Sequence, residues 1–488
     1  MVTTSPRDLL RKGAELHRNS LALVAPQGNL TYQELAHKTS GLATKLMSVG
    51  IGSGTQVALV MPNSEAFLVW FFAVLEAGAI IVPLDPAITA IEAKDLLSAS
   101  GIRFLVVPEG CTLAHRLGMS LENGVDIKGT ALLSTKLEIQ PHKPLTEPFD
   151  DLVIRQFSSG STGAPKHVLR HEENLAHDYW HFCETLGLGK GERFAGVTPF
   201  HHSYGAMGFL AAFYLGASVS LLPRFFPAPF IDMAYEYRPT IFHATPPLIE
   251  ILGTCLIKPG RARALSSLKA CICSTGHLRK EAYKAFRSRF GIAVFVQYGS
   301  TETLSATIDM VDEYEEGRVG RPYKGVTVGI FDDDGSPCAA GNRGRIGIRS
   351  PAVCSTYVGD PDSSARTFQG GYAFPGDRGY LDSEQRLHVL GRDDIINIGG
   401  TKVDRLEVET VIRQALPVRD VIVLEGEQGG LPVIRAVIEA DPDRITRPMV
   451  IAVCRERLSL HKVPTQVEIR AMLERDEMGK IRKSSVVE

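Results

Sequence analysis

Short apolar runs rich in β-branched residues alternate with amphipathic stretches along the first part of the chain. The runs at 56–61, 80–83 and 104–107 read QVALVM, IIVP and FLVV, and helix-compatible sequence at 65–78 and 93–101 separates them. This alternation indicates βα units, whose strands lie mostly parallel in a sheet that helices cover. The same pattern resumes after residue 150. We therefore expect two α/β subdomains within one large amino-terminal domain.

The spacing of apolar and turn residues changes toward the carboxyl end. From about residue 319, short apolar segments stand between Gly, Asp and Pro turns, which predicts a small β subdomain. The segment 394–488 has strands and helices of its own and is long enough to fold as a separate small α+β domain. The prediction is an α/β protein with a large domain at 1–393 and a small domain at 394–488.

The composition excludes several classes of protein. The 488-residue chain is 44% hydrophobic and 22% charged, which is ordinary for a globular protein and excludes a disordered or fibrous chain. A formal net charge of −2, without long blocks of like charge, gives no field that would attract nucleic acid. We therefore expect a small-molecule partner. Eight cysteines without regular spacing favour reduced thiols over a disulfide framework.

The amino-terminal segment and the most apolar window both bear on cellular location. Charged residues recur at the amino terminus where a signal peptide would need a continuous apolar core. The most apolar window, 66–84, contains Glu76, Gly78 and Pro83, so we expect a buried helix followed by a strand. The sequence predicts a cytoplasmic protein without a membrane span.

A segment rich in glycine and hydroxyl residues, FSSGSTGAPK at 157–166, follows a strand-like stretch. Glycines let main-chain N–H groups turn toward one point, and hydroxyl groups and a lysine add donors and charge, so the segment predicts an anion cradle for phosphate. Its spacing differs from the Gly-x4-Gly-Lys-Ser/Thr pattern of a P-loop. A flexible Ser/Gly linker is the alternative. The predicted phosphate-binding residues are Ser158, Ser159, Gly160, Ser161, Thr162, Gly163 and Lys166.

Six segments together match one family in order and approximate spacing. They are FSSGSTGAPK, TPFHHSYG at 198–205, VQYGSTET at 296–303, GDRGYLD at 376–382, GRDDIINIGGTKVD at 391–404 and MGKIRK at 478–483. On these motifs the chain resembles the AMP-forming adenylating enzymes, which include acyl-CoA synthetases, aryl-CoA ligases, stand-alone adenylation domains and luciferases. The resemblance implies that a carboxylate is activated with Mg-ATP as an acyl-adenylate, that pyrophosphate is released, and that the acyl group passes to a thiol.

The resemblance assigns nucleotide contacts to the YGSTET motif. Tyr298 and the main chain through Gly299 and Ser300 would lie against adenine, and Thr301 would contact the α-phosphate. Glu302 would hold Mg²⁺, because a hard cation prefers carboxylate and phosphate oxygens. For a glutamate outside such a motif, a solvated turn residue would be the default interpretation.

Three charged residues nearer the carboxyl end also match family positions. Asp377 would accept both ribose hydroxyls, and Arg392 would be its companion at the ribose, with a structural ion pair as the alternative for the two. Lys480 matches the catalytic lysine of the family. A carboxylate that attacks the α-phosphate brings negative charge onto negative charge, and an ammonium in a site with little water stabilises the charge that develops.

Transfer to a thiol requires different access to the adenylate. Family members rotate the small carboxyl-terminal domain, and Asp394 matches the hinge. Gly399 and Gly400 match the loop that lines the tunnel for the pantetheine arm, where the absence of a Cβ permits close approach. The implied thiol is coenzyme A or the phosphopantetheine of a carrier protein, and an ordinary turn is the alternative for the two glycines.

Histidines bear on the acid substrate and on metals. His202 matches the family residue at the acyl pocket, with His201 one register away and a pocket wall as the alternative role. Amino-acid-activating relatives usually have an aspartate in this motif to pair with the substrate ammonium. Its absence favours a non-amino acid, because an unpaired buried ammonium is costly. In STGHL, His277 stands where the family sequence differs, which suggests an altered pocket.

A second group of side chains has metal-ligand spacing. His177, His181 and Glu184 share one face of a predicted helix, as ligands of a zinc site would. A structural face of the helix is the favoured interpretation.

Three functions follow from these patterns. The first is an AMP-forming acid–thiol ligase, most simply one that uses coenzyme A. The second is a stand-alone adenylating enzyme that loads an acyl or aryl acid onto a carrier protein. The third is a non-catalytic descendant that binds a nucleotide or acyl-AMP, against which Lys480, Glu302 and Asp377 argue.

Overall fold

Helices and strands alternate along the chain as the apolar pattern predicts. The computed structural model describes residues 4–88, 90–118, 120–127, 130–134, 151–158, 166–261, 263–392, 395–398, 401–428, 431–458, 460–477, 479–482 and 485–486.

The helices are α1 (Leu9–Leu16), α2 (Tyr32–Ser48), α3 (Glu65–Glu76), α4 (Ala90–Ser100), α5 (Thr112–Arg116), α6 (Glu172–Thr185), α7 (Ser203–Leu215), α8 (Pro227–Tyr237), α9 (Pro246–Thr254), α10 (Lys280–Phe290), α11 (Pro361–Thr367), α12 (Arg405–Ala415) and α13 (Arg447–Arg457), with a 3₁₀ turn at Leu460–Lys462.

The strands are β1 (Leu21–Val24), β2 (Leu30–Thr31), β3 (Gln56–Val60), β4 (Ile80–Leu84), β5 (Phe104–Pro108), β6 (Ser120–Ile127), β7 (Thr130–Ser134), β8 (Leu152–Ser158), β9 (Lys166–His171), β10 (Arg193–Gly196), β11 (Ser218–Leu221), β12 (Ile241–Ala244), β13 (Ala270–Cys273), β14 (Val294–Ser300), β15 (Leu304–Asp309), β16 (Arg318–Pro322), β17 (Thr327–Phe331), β18 (Gly344–Arg349), β19 (Phe368–Gln369), β20 (Tyr372–Ala373), β21 (Asp377–Leu381), β22 (Leu387–Arg392), β23 (Ile395–Ile398), β24 (Thr401–Asp404), β25 (Asp420–Gln428), β26 (Leu431–Glu439) and β27 (Gln466–Arg470).

The chain divides into two compact units. The larger unit is 1–328 with 347–374, and the smaller unit is 329–346 with 375–488. Residues 393 and 394, where the sequence predicts the domain boundary and the Asp394 hinge, lie outside the described residues. The division into domains at 1–393 and 394–488 therefore stays a prediction.

Two sheets of the larger unit have parallel centres, as predicted. In the first, the order is β6-β7-β5-β3-β4-β8-β9, with β5, β3, β4 and β8 parallel and β9 antiparallel at the edge. In the second, strands β1, β11, β10, β12, β13 and β14 are parallel neighbours, and β15 and β16 follow as antiparallel strands. Buried strands of this kind explain the continuous apolar runs.

Helix α3 accounts for the most apolar window. It begins after Ser64, whose hydroxyl accepts a hydrogen bond from the Phe67 amide at 3.0 Å. Every residue from Phe67 to Leu75 is buried, so the helix is apolar on all sides because all sides pack against protein. Within the described part of the chain, no helix combines the length and apolarity needed to cross a bilayer.

The smaller unit has its own core. Strands β25 and β26 pair antiparallel, β27 pairs parallel with β26, and α12 and α13 contribute to the buried cluster that includes Val408, Ile412, Val450 and Cys454. Strand β21 pairs with β22 and with the first residues of β18. The α+β fold predicted for the carboxyl-terminal segment is confirmed.

Candidate active site

The glycine-rich segment begins and ends on a strand pair at the edge of the first sheet. Ser158 on β8 is the direct backbone partner of Lys166 on β9, so the two ends of FSSGSTGAPK lie side by side. Ser159, Gly160, Ser161, Thr162 and Gly163 lie outside the described residues, and their phosphate-binding role stays a prediction.

The Lys166 side chain contacts a tyrosine that is distant in sequence. Its Nζ lies 4.7 Å from the centre of the Tyr357 ring, within the range of a cation–π interaction. The segment carrying Tyr357 runs beside β9, because Val168 and Tyr357 form a backbone bridge and the Val358 amide donates to the His167 carbonyl at 3.0 Å. The lysine that ends the glycine-rich segment is therefore held against Tyr357.

The YGSTET motif forms a tight turn between β14 and β15. Ser300 Oγ accepts from the amides of Glu302 and Thr303 at 3.2 and 3.3 Å, and the Ser300 amide donates to Thr303 Oγ1 at 3.1 Å. A Cβ at Gly299 would stand 2.0 Å from the Leu304 carbonyl oxygen, so the turn requires glycine there. These contacts fix the main chain at the residues predicted to meet ATP.

The residues of this motif differ in exposure. Tyr298, on β14, and Thr301, in the turn, are partly exposed, as a ligand-contacting residue must be. Glu302 is 7% exposed, and Tyr357 Oη donates to its Oε1 at 2.8 Å. Burial raises the pKa of Tyr357 above its ordinary value, and the negative charge of Glu302 raises it further, so the phenol remains a donor.

A buried arginine fixes the main chain at Glu302. Arg170, on β9, is 0% exposed, and its Nη1 donates to the carbonyls of Glu302 and Ala352 at 3.3 and 3.1 Å. The Cys354 amide also donates to the Glu302 carbonyl at 3.0 Å. Arg170 and Tyr357 were missed by the sequence reasoning. No sequence signal marked Arg170, because its strand, KHVLRH, also contains a lysine and two histidines.

The predicted acid-binding histidine lies at the start of a buried helix. His202 is the N-cap residue of α7 and is partly exposed, and its ring lies 4.5 Å from the ring of His201. His201 is 8% exposed, and burial lowers its pKa to about 4, so it is neutral at neutral pH. His202 is thus the more accessible of the two, and its role stays a prediction.

Asn63 positions the loop before His202. Its Nδ2 donates to the carbonyls of Gly196 and Thr198 at 3.3 and 2.9 Å, and its Oδ1 accepts from the Phe200 amide at 2.8 Å. At 3% exposed, Asn63 thus binds main-chain groups of Thr198 and Phe200 in the TPFHH loop and of Gly196 at the end of the preceding strand. The sequence reasoning gave this residue no role.

Other histidines have structural partners in the larger unit. His277 forms an ion-pair contact with Glu316 at the surface. His181 is buried against Tyr323, and its Nε2 lies 3.2 Å from Asp178 Oδ1. His177 is partly exposed and contacts the Trp180 ring.

The two predicted ribose contacts are neighbours in the smaller unit. Asp377 on β21 and Arg392 on β22 are direct backbone partners across an antiparallel pair. The structure thus brings this predicted pair together, although the two residues are separated along the chain by a hairpin.

Lys480 lies on a second hairpin of the smaller unit. Arg475 and Ile481 form a backbone bridge, the Lys480 amide donates to Asp476 Oδ1 at 2.8 Å, and Gly479 has a φ of 79°. The lysine side chain is exposed. The hairpin is anchored by Arg475, which donates to Asp420 Oδ2 at 3.1 Å and Glu439 Oε2 at 2.7 Å.

The predicted site residues are therefore divided between the units. Lys166, Glu302 and His202 belong to the larger unit, whereas Asp377 and Lys480 belong to the smaller one. Gly399 and Gly400 lie outside the described residues, between the paired strands β23 and β24.

Comparison with known proteins decides the family. The model of the AMP-binding enzyme family matches residues 10–358, more than half of the chain. The chain belongs to the AMP-binding enzyme family. The resemblance inferred from the six motifs is confirmed, as is the prediction of an AMP-forming ligase.

Several members of the AMP-binding enzyme family align over nearly the full length. A probable CoA ligase, CCL9 from Humulus lupulus, is 29% identical over 98% of this chain and 95% of its own length. The oxalate–CoA ligase of Arabidopsis thaliana is 28% identical over 95% and 94%. The ATP-bound structure of MatB from Rhodopseudomonas palustris matches with a TM-score of 0.83 at 22% identity, over 99% of this chain and 98% of that one. This likeness confirms the predicted α/β fold.

Proposed function

We propose that this chain activates a carboxylic acid with ATP as an acyl-adenylate and transfers the acyl group to coenzyme A. The observation that carries the proposal is the fixed turn at Ser300–Thr303, which holds a buried carboxylate, Glu302, beside the lysine of the glycine-rich segment. The names of the aligned relatives favour coenzyme A as the thiol.

In the first half-reaction, a carboxylate oxygen of the acid forms a bond to the α-phosphorus. The bond from that phosphorus to the bridging oxygen breaks, and pyrophosphate leaves with the electron pair. Thr301 contacts the α-phosphate, while Lys480 brings its ammonium to the oxygens where charge develops. Asp377 and Arg392 bind the ribose, and Tyr298 with the main chain of the turn holds adenine. The cradle residues around Lys166 bind the departing phosphates.

Glu302 is a described carboxylate that fits Mg²⁺. A magnesium ion is usually held by one or two carboxylates together with substrate phosphates. Because Tyr357 donates to Oε1 of Glu302, Oε2 would be the oxygen that holds the cation. When bound, the ion would neutralise negative charge on the phosphate oxygens.

In the second half-reaction, the coenzyme A thiol loses its proton to solvent and its sulfur forms a bond to the acyl carbonyl carbon. The bond from that carbon to the phosphate oxygen breaks, and AMP leaves with the electron pair. Movement of the carboxyl-terminal domain about Asp394 would replace Lys480 by the loop with Gly399 and Gly400. The acid itself has no α-ammonium, because the TPFHHSYG motif offers His202 and no carboxylate to pair with one. The reaction takes place in the cytoplasm in this proposal.

Pyrophosphate release with a panel of acids tests the proposal. Acid-dependent release followed by acyl transfer to coenzyme A supports the ligase, whereas transfer only to carrier-protein phosphopantetheine supports the loading enzyme. Absence of acid-dependent pyrophosphate with every acid, while ATP binds, would leave the non-catalytic binder.

Lys480→Ala is the informative variant in this assay. We expect it to bind ATP normally and to form adenylate roughly a hundredfold to a thousandfold more slowly, because a donor to the developing charge is lost. Arg444→Ala is the matched control, since this cation of the same unit has an 82% exposed side chain. Equal rates for Lys480→Ala and the unmodified protein would reject the role of the lysine.

A further inference from the structure

Tyr357 contacts both charged residues of the candidate phosphate site. Its hydroxyl donates to Glu302 Oε1 at 2.8 Å, and the Lys166 Nζ lies 4.7 Å from the centre of its ring. The two residues it contacts come from different motifs, one at the end of the glycine-rich segment and the other in the turn after β14.

The ring of Tyr357 is fixed from several sides. It is 4% exposed, its amide donates to Ser364 Oγ at 2.9 Å, and its ring packs 5.3 Å from that of Phe368. The backbone bridge to Val168 sets its position along β9. A side chain held in this way has little freedom to rotate, so its hydroxyl has one direction in which to donate.

The arrangement also constrains the main chain at Glu302. Lys166, Val168 and Arg170 alternate along β9 and therefore share one face of the strand, the face that meets Tyr357 and Glu302. The Arg170 guanidinium holds the Glu302 carbonyl, and Tyr357 holds the carboxylate. The main chain of Glu302 is thus held by Arg170 of β9, and its side chain is held by Tyr357, whose backbone pairs with β9.

We propose that Tyr357 is a positioning residue that couples Lys166 to Glu302, so that both are oriented before the metal–nucleotide complex binds. The inference rests on the proposed function and adds a residue to it. The hydroxyl selects one rotamer of the Glu302 carboxylate and leaves its second oxygen for the cation. The ring face keeps the Lys166 ammonium beside the phosphates instead of in solvent.

The effect of the hydroxyl can be separated from that of the ring. Tyr357→Phe removes the donor and keeps the aromatic face under Lys166. Partners that orient a metal-binding carboxylate typically contribute tenfold to a hundredfold in metal affinity. We expect Tyr357→Phe to weaken binding of Mg-ATP about tenfold, and binding of ATP in excess EDTA by less than about twofold.

The measurement is calorimetric titration of the full-length protein with ATP, with Mg²⁺ and with EDTA. Tyr32→Phe is the matched control, because Tyr32 is also buried and its hydroxyl donates to the Ala217 carbonyl at 2.7 Å. It should leave both affinities unchanged. An equal loss for Tyr357→Phe with and without Mg²⁺, or no loss at all, would overturn the proposal.

A double variant provides a second test. Glu302→Gln should abolish most of the preference for Mg-ATP over ATP, and adding Tyr357→Phe to it should cause no further loss, because the hydroxyl acts through that carboxylate. Additive losses would overturn the proposal. So would a Tyr357→Phe protein that fails to fold while Tyr32→Phe folds, since the hydroxyl would then be a structural requirement.

The two proposals fail in different ways. If the unmodified protein binds Mg-ATP more tightly than ATP and releases pyrophosphate with an acid, the proposed function stands, and the Tyr357→Phe titration alone decides the positioning role. If the unmodified protein binds no ATP, both proposals are overturned.

Discussion

Asn63 and Asn174 make the same pattern of hydrogen bonds in different surroundings. Each amide nitrogen donates to two main-chain carbonyls, and each amide oxygen accepts from one main-chain N–H. Asn63 is 3% exposed, whereas Asn174, in the first turn of α6, is partly exposed. Replacing each by alanine therefore tests how much burial contributes to the same three bonds.

The loss in the free energy of unfolding depends on whether water can replace the hydrogen-bond partner that each variant removes. A hydrogen bond contributes about 1 kcal/mol on average, and a buried group left without a partner costs about 1–3 kcal/mol. Asn63→Ala removes the partner of the Thr198 carbonyl and of the Phe200 amide in the interior, whereas the Gly196 carbonyl keeps its hydrogen bond from the Leu222 amide at 3.2 Å. We therefore expect a loss of about 3 kcal/mol in the free energy of unfolding. At the accessible Asn174 site, water replaces part of the lost bonding, and we expect about 1 kcal/mol or less.

Tryptophan fluorescence during urea unfolding measures these losses. Both tryptophans of the chain, Trp70 on α3 and Trp180 on α6, belong to the larger unit, so their signal follows its unfolding. Asn63→Ala should also raise the KM for the acid, because the TPFHH loop carries His202. Equal stability losses for the two variants would refute the argument that burial decides the cost.

Two further predictions concern the turn and a buried histidine. Gly299→Ala should slow adenylation by at least about tenfold, because the added Cβ would stand 2.0 Å from the Leu304 carbonyl oxygen and distort the turn. Circular dichroism should show intact secondary structure in this variant. An unchanged rate of adenylation would contradict the close approach at Gly299. Burial lowers the pKa of His243 to about 3, below its value near 6.5 in the unfolded chain. The stability contributed by the neutral ring is therefore fully present above about pH 6.5 and is lost as the pH falls toward 3. The urea midpoint of His243→Leu should therefore fall less steeply between pH 6.5 and 4 than that of the unmodified protein, and parallel slopes would argue against this assignment.

Local pattern determined much of the architecture. The strand runs at 56–61, 80–83 and 104–107 became β3, β4 and β5, because a β-branched apolar run has few other ways to be buried. The apolar window at 66–84 became α3 and β4 for a similar reason. The motif residues were also identifiable from sequence, since glycine and hydroxyl residues at fixed spacing are typical of turns whose hydrogen bonds they form. In the Ser300–Thr303 turn, for example, hydrogen bonds between Ser300, Glu302 and Thr303 join residues that are neighbours in sequence.

Long-range contacts in the folded chain select the distant residues that support those motifs. Tyr357 meets Glu302 across 55 positions in the sequence, and Asn63 meets Thr198 across 135. Arg170 reaches the Glu302 carbonyl across 132. Such contacts depend on strand order and on the register between strands, and a shift of one residue turns a side chain to the opposite face of the sheet. Local sequence pattern thus specifies the elements and the chemistry of each motif, whereas the pairing of strands in the sheets specifies the partners that hold the motif residues in place.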